Sequence, residues 1–396
     1  MKYDFDAIVN RRNTDSVKWD LMSEGELPMW VADMDIKTAP AIVEAIERRA
    51  AHGVFGYTII PDEWYTSIIN WWGGRHGLAL TRDDLCFCTG VIPAITSSVK
   101  RMTNVGDNVV VLTPVYNVFF NSIENSGRHV FECRLKYDGT GYDIDFDKLE
   151  ECLAHPLTTL LILCNPHNPV GRIWSREELC RIGELCRRHG VLVISDEIHC
   201  DLTDPGFEYT PFAAASRENA EISVSCISTS KAFNIAGLQS AAVIVKEPHL
   251  RERIVRGLNS DEVAEPNCFA ALAASVAFGE CGEWLDELRA YLAENKRRVR
   301  EFIKNELPEL AMFDQKATYL LWIDCSRITD DSAALADLIR ERTGLVLTAG
   351  CQYRGDSGHF MRMNVACPRS LLEDGLCRLR RGVSDFCAEM GKRENA

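Results

Sequence analysis

The stretch Val191-Leu192-Val193-Ile194-Ser195-Asp196-Glu197-Ile198-His199 opens as an apolar, β-branched run and stops at two adjacent carboxylates. A short run of this kind suits a strand buried in a sheet. A carboxylate at such a strand's end is costly unless a cation or a strong donor meets it. An arginine is the plain structural partner for Asp196, and a protonated ring nitrogen on a cofactor is the sharper one. Working outward, the same texture recurs at Asn108–Leu112, Thr159–Cys164, Ile222–Ser228 and Ala241–Val245. Helical patterns lie between these runs, among them Ser175–His189, where Ser175 and Glu178 make a capping box. Strand–helix alternation predicts an α/β protein with a mostly parallel sheet covered on both faces. Ligands of such sheets bind beyond the carboxyl ends of the strands.

Two other candidate strands also end in polar motifs. Asn165-Pro166-His167-Asn168-Pro169-Val170-Gly171 follows one of them, and its Asn-Pro steps and glycine force a turn. That turn leaves the Asn168 amide to face a ligand, although a plain turn explains the motif equally well. Ser228-Thr229-Ser230-Lys231 follows another. Hydroxyls beside a lysine suit a phosphate and an amine that forms an imine; the alternative is a surface lysine. Thr89-Gly90-Val91-Ile92 precedes a helical pattern, so the backbone N–H groups of Val91 and Ile92 can hold a phosphate. Together these groups match the needs of pyridoxal phosphate: an imine lysine, a carboxylate at the ring nitrogen, a donor to the phenolic oxygen and a phosphate cup.

Composition excludes other classes. The 396 residues are 46 % hydrophobic and 26 % charged, with 14 Pro and 26 Gly, an ordinary globular mixture. No apolar run reaches the roughly 18 residues of a membrane span. The most apolar stretch, Cys268–Phe278, is read as a buried core helix. A net charge of -14 without a basic stripe argues against nucleic acid as a partner. The N-terminus has no basic-then-apolar signal pattern, so the 16 cysteines are expected to be reduced thiols of a cytoplasmic protein. Cys86 and Cys88 lack zinc-site spacing, and no metal is expected. After Glu280 the pattern changes to long charged helices and short strands. The expected division is a large domain over 46–280, with 1–45 and 281–396 forming a smaller α+β domain.

These motifs resemble the fold-type I pyridoxal-phosphate enzymes of the aminotransferase class I/II superfamily. Pro28-Met29-Trp30-Val31-Ala32-Asp33-Met34-Asp35 resembles the N-terminal signature of the MalY/PatB-type cystathionine β-lyases within it. The resemblance implies an aspartate aminotransferase-like fold with a seven-stranded, mostly parallel sheet. It implies Lys231 as the imine lysine, Asp196 as the ring-nitrogen partner, and Asn168 and His199 as contacts of the phenolic oxygen. Tyr116 matches the aromatic residue stacked on the ring, and Ser228, Ser230, Val91 and Ile92 match the phosphate contacts. Ala32, Asn168 and Arg362 fall at the substrate, with Arg362 gripping its α-carboxylate. Tyr57 matches a tyrosine that reaches the phosphate in a neighbouring subunit, which implies a homodimer.

Gln239 stands where aminotransferases commonly place an arginine, as the lyase subgroup tends to have it. Arg354 is read as facing solvent rather than a second substrate charge. The expected activity is β-elimination on cystathionine or another cysteine S-conjugate, giving a thiol, pyruvate and ammonia. An aminotransferase on the same scaffold shares every step up to the carbanion. A regulatory binding protein with secondary catalysis is the reading from another class, and a pure binding module has no need of Lys231.

Overall fold

Seven strands form the central sheet of the computed structural model, which describes residues 2–394. They are β1 (Leu85–Cys88), β2 (Asn108–Thr113), β3 (His129–Arg134), β4 (Thr158–Cys164), β5 (Leu192–Asp196), β6 (Ser223–Ile227) and β7 (Ala241–Ile244). Their spatial order is β1-β7-β6-β5-β4-β2-β3. Strands β3, β2, β4, β5 and β6 pair in parallel, and β7 runs antiparallel to both its neighbours. The five strands expected from sequence, the run at Val191–Ser195 among them, are all present, each within one residue of its expected ends.

Strands β1 and β3 carry weaker signals. Leu85-Cys86-Phe87-Cys88 is only four residues long. β3 is an edge strand with His129, Glu132 and Arg134 among its six residues, a common composition where one side of a strand has no partner.

Residue alternation decides which helix covers which face. Val109, Val111, Ile162, Ile194 and Val224 pack with Ala94, Ile95 and Val99 of the helix Val91–Met102. Val110, Leu161, Leu163 and Val193 point the other way, against Leu179 and Ile182 of the helix Arg176–Arg188. Burial on both faces is why these strands read as continuous apolar runs. Each such side chain contributes about 1.5–3 kcal/mol. Ser175 and Glu178 close the expected capping box, with N–H···O distances of 3.2 and 2.7 Å. The core helix expected from Cys268 starts instead at Ala270, because the Asn267 side chain accepts the N–H groups of Phe269 and Ala270.

Beyond the helix Gly282–Glu306, β8 (Leu320–Asp324), β9 (Thr348–Ala349) and β10 (Phe360–Asn364) form a second, antiparallel sheet in the order β8-β10-β9. The short strand Leu27–Pro28 pairs in parallel with Leu345–Val346 and anchors the signature segment there. The helices Ser332–Thr343 and Arg369–Glu394 pack together nearby. No described helix is long and apolar enough to cross a membrane.

Gly171, at the end of the turn after β4, has φ +67° and carries the carbonyl that accepts from Lys316 and Ala317. A Cβ there would lie 2.8 Å from Gln315 Cβ and 2.9 Å from the Ala317 carbonyl. Gly171→Ala is expected to lose about 2–4 kcal/mol in chemical denaturation, from strain plus overpacking. Gly139→Ala, at φ +86° with nothing within 4 Å, isolates the strain and should lose about 1–2 kcal/mol. Equal losses in the two variants would show that the contact with Gln315 and Ala317 is immaterial.

Candidate active site

Three parallel strands end at one level. Cys164 of β4 stands beside Asp196 of β5, which stands beside Cys226 of β6. The loops that follow bring Asn168, Asp196, His199, Ser228, Ser230 and Lys231 around a single cavity. Val91, Ile92, Tyr116 and Ala32 complete its walls, together with Gln239 and Ser240.

The two carboxylates that end the β5 run separate by strand alternation. Asp196 faces the cavity, and its carboxylate accepts the Ile198 N–H at 3.1 Å. Glu197 is taken up by the Ser195 and Ser225 hydroxyls and the Phe212 N–H, so it serves the packing. Burial pushes the Asp196 carboxyl up to about 7; the neighbouring Glu197 adds to this, and Lys231 and the Ile198 N–H oppose it. The site therefore holds a carboxylate that is under-paired within the chain.

The helix Val91–Met102 presents its N-terminus to the cavity, with Gly90 at the cap and no side-chain acceptor on the cap. Its first N–H groups have no intrahelical partner and suit an anion. Ser228 Oγ donates to the Ser240 carbonyl at 2.6 Å and accepts the Ser230 N–H at 3.0 Å, which tightens the turn before Lys231. The buried Ser240 hydroxyl has no partner among the described residues.

Lys231 Nζ donates to the Ala32 carbonyl at 2.6 Å, and the Tyr319 hydroxyl donates to the same oxygen at 3.0 Å. Burial lowers the Lys231 pKa, and Arg362 lowers it further, against the opposing charges of Asp33 and Asp196. His199 is kept neutral, with its pKa brought down to about 3 by burial and by the charges of Lys231 and Arg362. Its buried Nδ1 has no partner among the described residues. Arg362 donates to the Asn168 side-chain oxygen at 3.3 Å and to the Trp30 carbonyl at 2.9 Å. That contact turns the Asn168 NH2 into the end a ligand oxygen would meet.

Tyr57 is fully exposed (105 %) and does not line the cavity of its own chain. Arg354 does not simply face solvent, because its guanidinium pairs with Glu124 at 2.7 Å and lies over the Phe120 ring. Tyr319 carries no sequence signal of a site role, since nothing around it marks more than the start of a strand. Away from the cavity, His76, Cys200 and Asp201 bring ligand atoms within 4.8 Å of one another. Asp201 is occupied by His76 at 2.9 Å and Trp71 at 3.0 Å, and burial pushes the Cys200 thiol up. All sixteen cysteines are free.

An under-paired carboxylate, a buried amine of lowered pKa, a helix N-terminus beside an unpartnered hydroxyl, and a neutral histidine with an open nitrogen fit pyridoxal phosphate. The comparisons agree. The family model for aminotransferase class I and II matches residues 23–379. The cystathionine beta-lyase PatB of Bacillus subtilis is 41 % identical over 96 % of this chain and 100 % of its own. Protein MalY of Escherichia coli is 33 % identical over 95 % and 98 %. Cystalysin from Treponema denticola, whose crystal structure contains pyridoxal 5'-phosphate, superposes with a TM-score of 0.93 at 33 % identity, over 98 % of this chain and 100 % of that one.

The raised Asp196 pKa has a sign. The folded carboxyl binds its proton more tightly than the unfolded one, so without cofactor this group's destabilisation is absent below about pH 4 and grows until about pH 7. The loss approaches roughly 4 kcal/mol at 1.36 kcal/mol per unit. Asp196→Asn should flatten that part of the stability-against-pH curve of the cofactor-free protein, read by urea unfolding between pH 4 and 8. Parallel curves for the two proteins would count against the shift.

Proposed function

This chain belongs to the aminotransferase class I and II family, and on that premise we propose that it is a pyridoxal-phosphate-dependent carbon–sulfur β-lyase. Its substrates are cystathionine or related cysteine S-conjugates, and its products are a thiol, pyruvate and ammonia. One observation carries the choice within the family. The signature segment around Ala32 forms the wall against which Lys231 rests, with Nζ on the Ala32 carbonyl at 2.6 Å. The relatives named cystathionine beta-lyase PatB and Protein MalY support the same reading.

Bound pyridoxal phosphate supplies an aldehyde that condenses with amines and a ring that accepts the electron pair left at a substrate Cα. Lys231 is the amine that would hold it, and burial, which lowers the pKa of Nζ, favours its nucleophilic, uncharged form. Asp196, which lines the cavity, would meet the ring nitrogen and keep a proton on it. Asn168 and His199 would donate to or orient the phenolic oxygen, and Tyr116 would pack on the ring. Ser228, Ser230 and the N–H groups of Val91 and Ile92 would hold the phosphate, the Ser228 hydroxyl turning from the Ser240 carbonyl to do so. Arg362, already aimed by Asn168 and Trp30, takes the substrate α-carboxylate in its fork.

Lys231 Nζ is the base beside the substrate Cα, and its uncharged amine would take the Cα proton. The Ala32 carbonyl then accepts from the ammonium so formed, which keeps that proton beside the reacting atoms. The elimination would break the Cβ–sulfur bond with its electron pair on sulfur, the thiolate would take its proton from the Lys231 ammonium, and water would convert the remaining three carbons to pyruvate and ammonia.

Incubation with L-cystathionine should release pyruvate over many turnovers while the cofactor's absorbance stays that of the resting enzyme. A single turnover that shifts the spectrum to the amine form, reversed by a keto acid, would instead establish an aminotransferase. Lys231→Ala should lower pyruvate release by at least about a thousandfold, as loss of a nucleophile and base does.

Tyr57 is read as reaching the phosphate of a second copy. It sits in an exposed segment with Val54, Phe55 and Ile59, a patch that suits a self-complementary interface. Inactive Lys231→Ala and Tyr57→Ala proteins, refolded together in equal amounts, should regain roughly a quarter of wild-type activity. Half the dimers are then mixed, and each has one intact site. No recovery, despite mixed dimers on a native gel, would place Tyr57 outside the neighbouring site.

A further inference from the structure

The segment 30–36 borders the cavity without belonging to any helix or strand. Its carbonyls are nonetheless all spoken for from 30 to 34, chiefly by side chains from distant parts of the chain. Trp30 accepts from Arg362, Val31 from Asn364, Ala32 from Lys231 and Tyr319. Asp33 accepts from Asn364 and Lys18, and Met34 from Arg11 and Asn234. Side chains do here what a sheet ladder does elsewhere, so the position of each carbonyl depends on the residues that grip the segment.

Two of those residues are cations from an arm that carries none of the cofactor motifs. Lys18 is only 1 % exposed, and its Nζ donates to Asp35 Oδ2 at 2.8 Å and to the Asp33 carbonyl at 3.2 Å. Arg11 grips both Asp33 oxygens at 3.1 and 2.8 Å, and Asp35 Oδ1 at 2.8 Å. Trp19 Nε1 adds a bond of 2.7 Å to Asp35. The set balances two positive against two negative charges, the condition under which charges persist in an interior. The arm also has its own scaffold, because Asp20 accepts the N–H groups of Asn13, Thr14 and Ser16.

We infer that Lys18 and Arg11 are positioning residues, which act through Asp35 and Asp33 to hold the Ala32 carbonyl against the Lys231 amine. The inference rests on Lys231 being the reactive amine proposed above. Neither cation touches the cavity, since the charged pairs lie behind the segment and only Ala32 of this stretch lines it. Asp33 also acts on Lys231 by its charge, and Arg11 is the cation that pairs most closely with Asp33. The other charged or titratable groups that act on Nζ are Asp196, Arg362 and the neutral His199.

The test is the double variant Lys18→Met/Asp35→Asn, which removes one charge of each sign and leaves the Arg11–Asp33 pair. In full-length, cofactor-free protein, reductive methylation of Lys231 is followed by mass spectrometry as a function of pH. Loss of a well-placed acceptor for the ammonium should move the midpoint down by about one pH unit, the worth of one charged hydrogen bond. In the cofactor-loaded protein, kcat should fall about tenfold with KM within about twofold, because the loss falls on the proton-transfer step. Lys18→Arg, which keeps the charge, should retain most of both.

A folded double variant with an unchanged midpoint and unchanged kcat overturns the inference. If the double variant does not fold, Trp19→Phe removes one bond to Asp35 and keeps the ring. It should shift the midpoint in the same direction by less, and an unchanged midpoint there also overturns the inference. Borohydride reduction of the wild-type protein and mapping of the cofactor to Lys231 tests the lysine separately, so the two readings fail independently.

Discussion

The level ends of β4, β5 and β6 are the constraint on which everything else in this molecule depends. The pairing of Cys164 with Asp196, and of Asp196 with Cys226, places three chain reversals side by side. One supplies Asn168, the next Asp196 and His199, the last Ser228, Ser230 and Lys231. A slip of one residue in any of these strands would turn its inward set to the other face. Asp196 and Glu197 would then trade places, putting the packing carboxylate in the cavity. The buried apolar runs on both faces make that slip prohibitive, so the register of the core also sets the register of the chemistry.

Low polarity around the site has opposite effects on its groups. It raises Asp196 and lowers Lys231 and His199, each toward its uncharged form. A cofactor with a ring nitrogen and a phosphate restores charge partners to a pocket that the chain by itself leaves short of them. The same desolvation that penalises the cofactor-free fold therefore favours the cofactor, by linkage between binding and folding.

Much of this was legible in the sequence because strand ends announce themselves. An apolar run that stops at Asp196 or at Asn165 marks both the element and the point where chemistry begins. The capping box at Ser175 is equally local, and it appears as read. What escaped depends on contacts between remote segments. β1 and β3 are too short or too polar to show a pattern, and the site contact of Tyr319 arises only when β8 meets the signature segment. The pairing of Arg354 with Glu124 spans 230 positions, and no local pattern marks it.

The segment 30–34 has a further consequence, which concerns assembly rather than chemistry. Its side-chain hydrogen-bond donors come from residues 11, 18, 231, 234, 319, 348, 362 and 364, so it closes loops that run through most of the chain. Contacts of such high order close long loops, at an entropy cost that local pairings do not carry. A chain that stops between β7 and β8 holds every strand of the central sheet and still lacks Tyr319, Arg362 and Asn364, three of the donors to the wall beside Lys231. The wall of the site is thus complete only where the N-terminal arm and the second sheet meet.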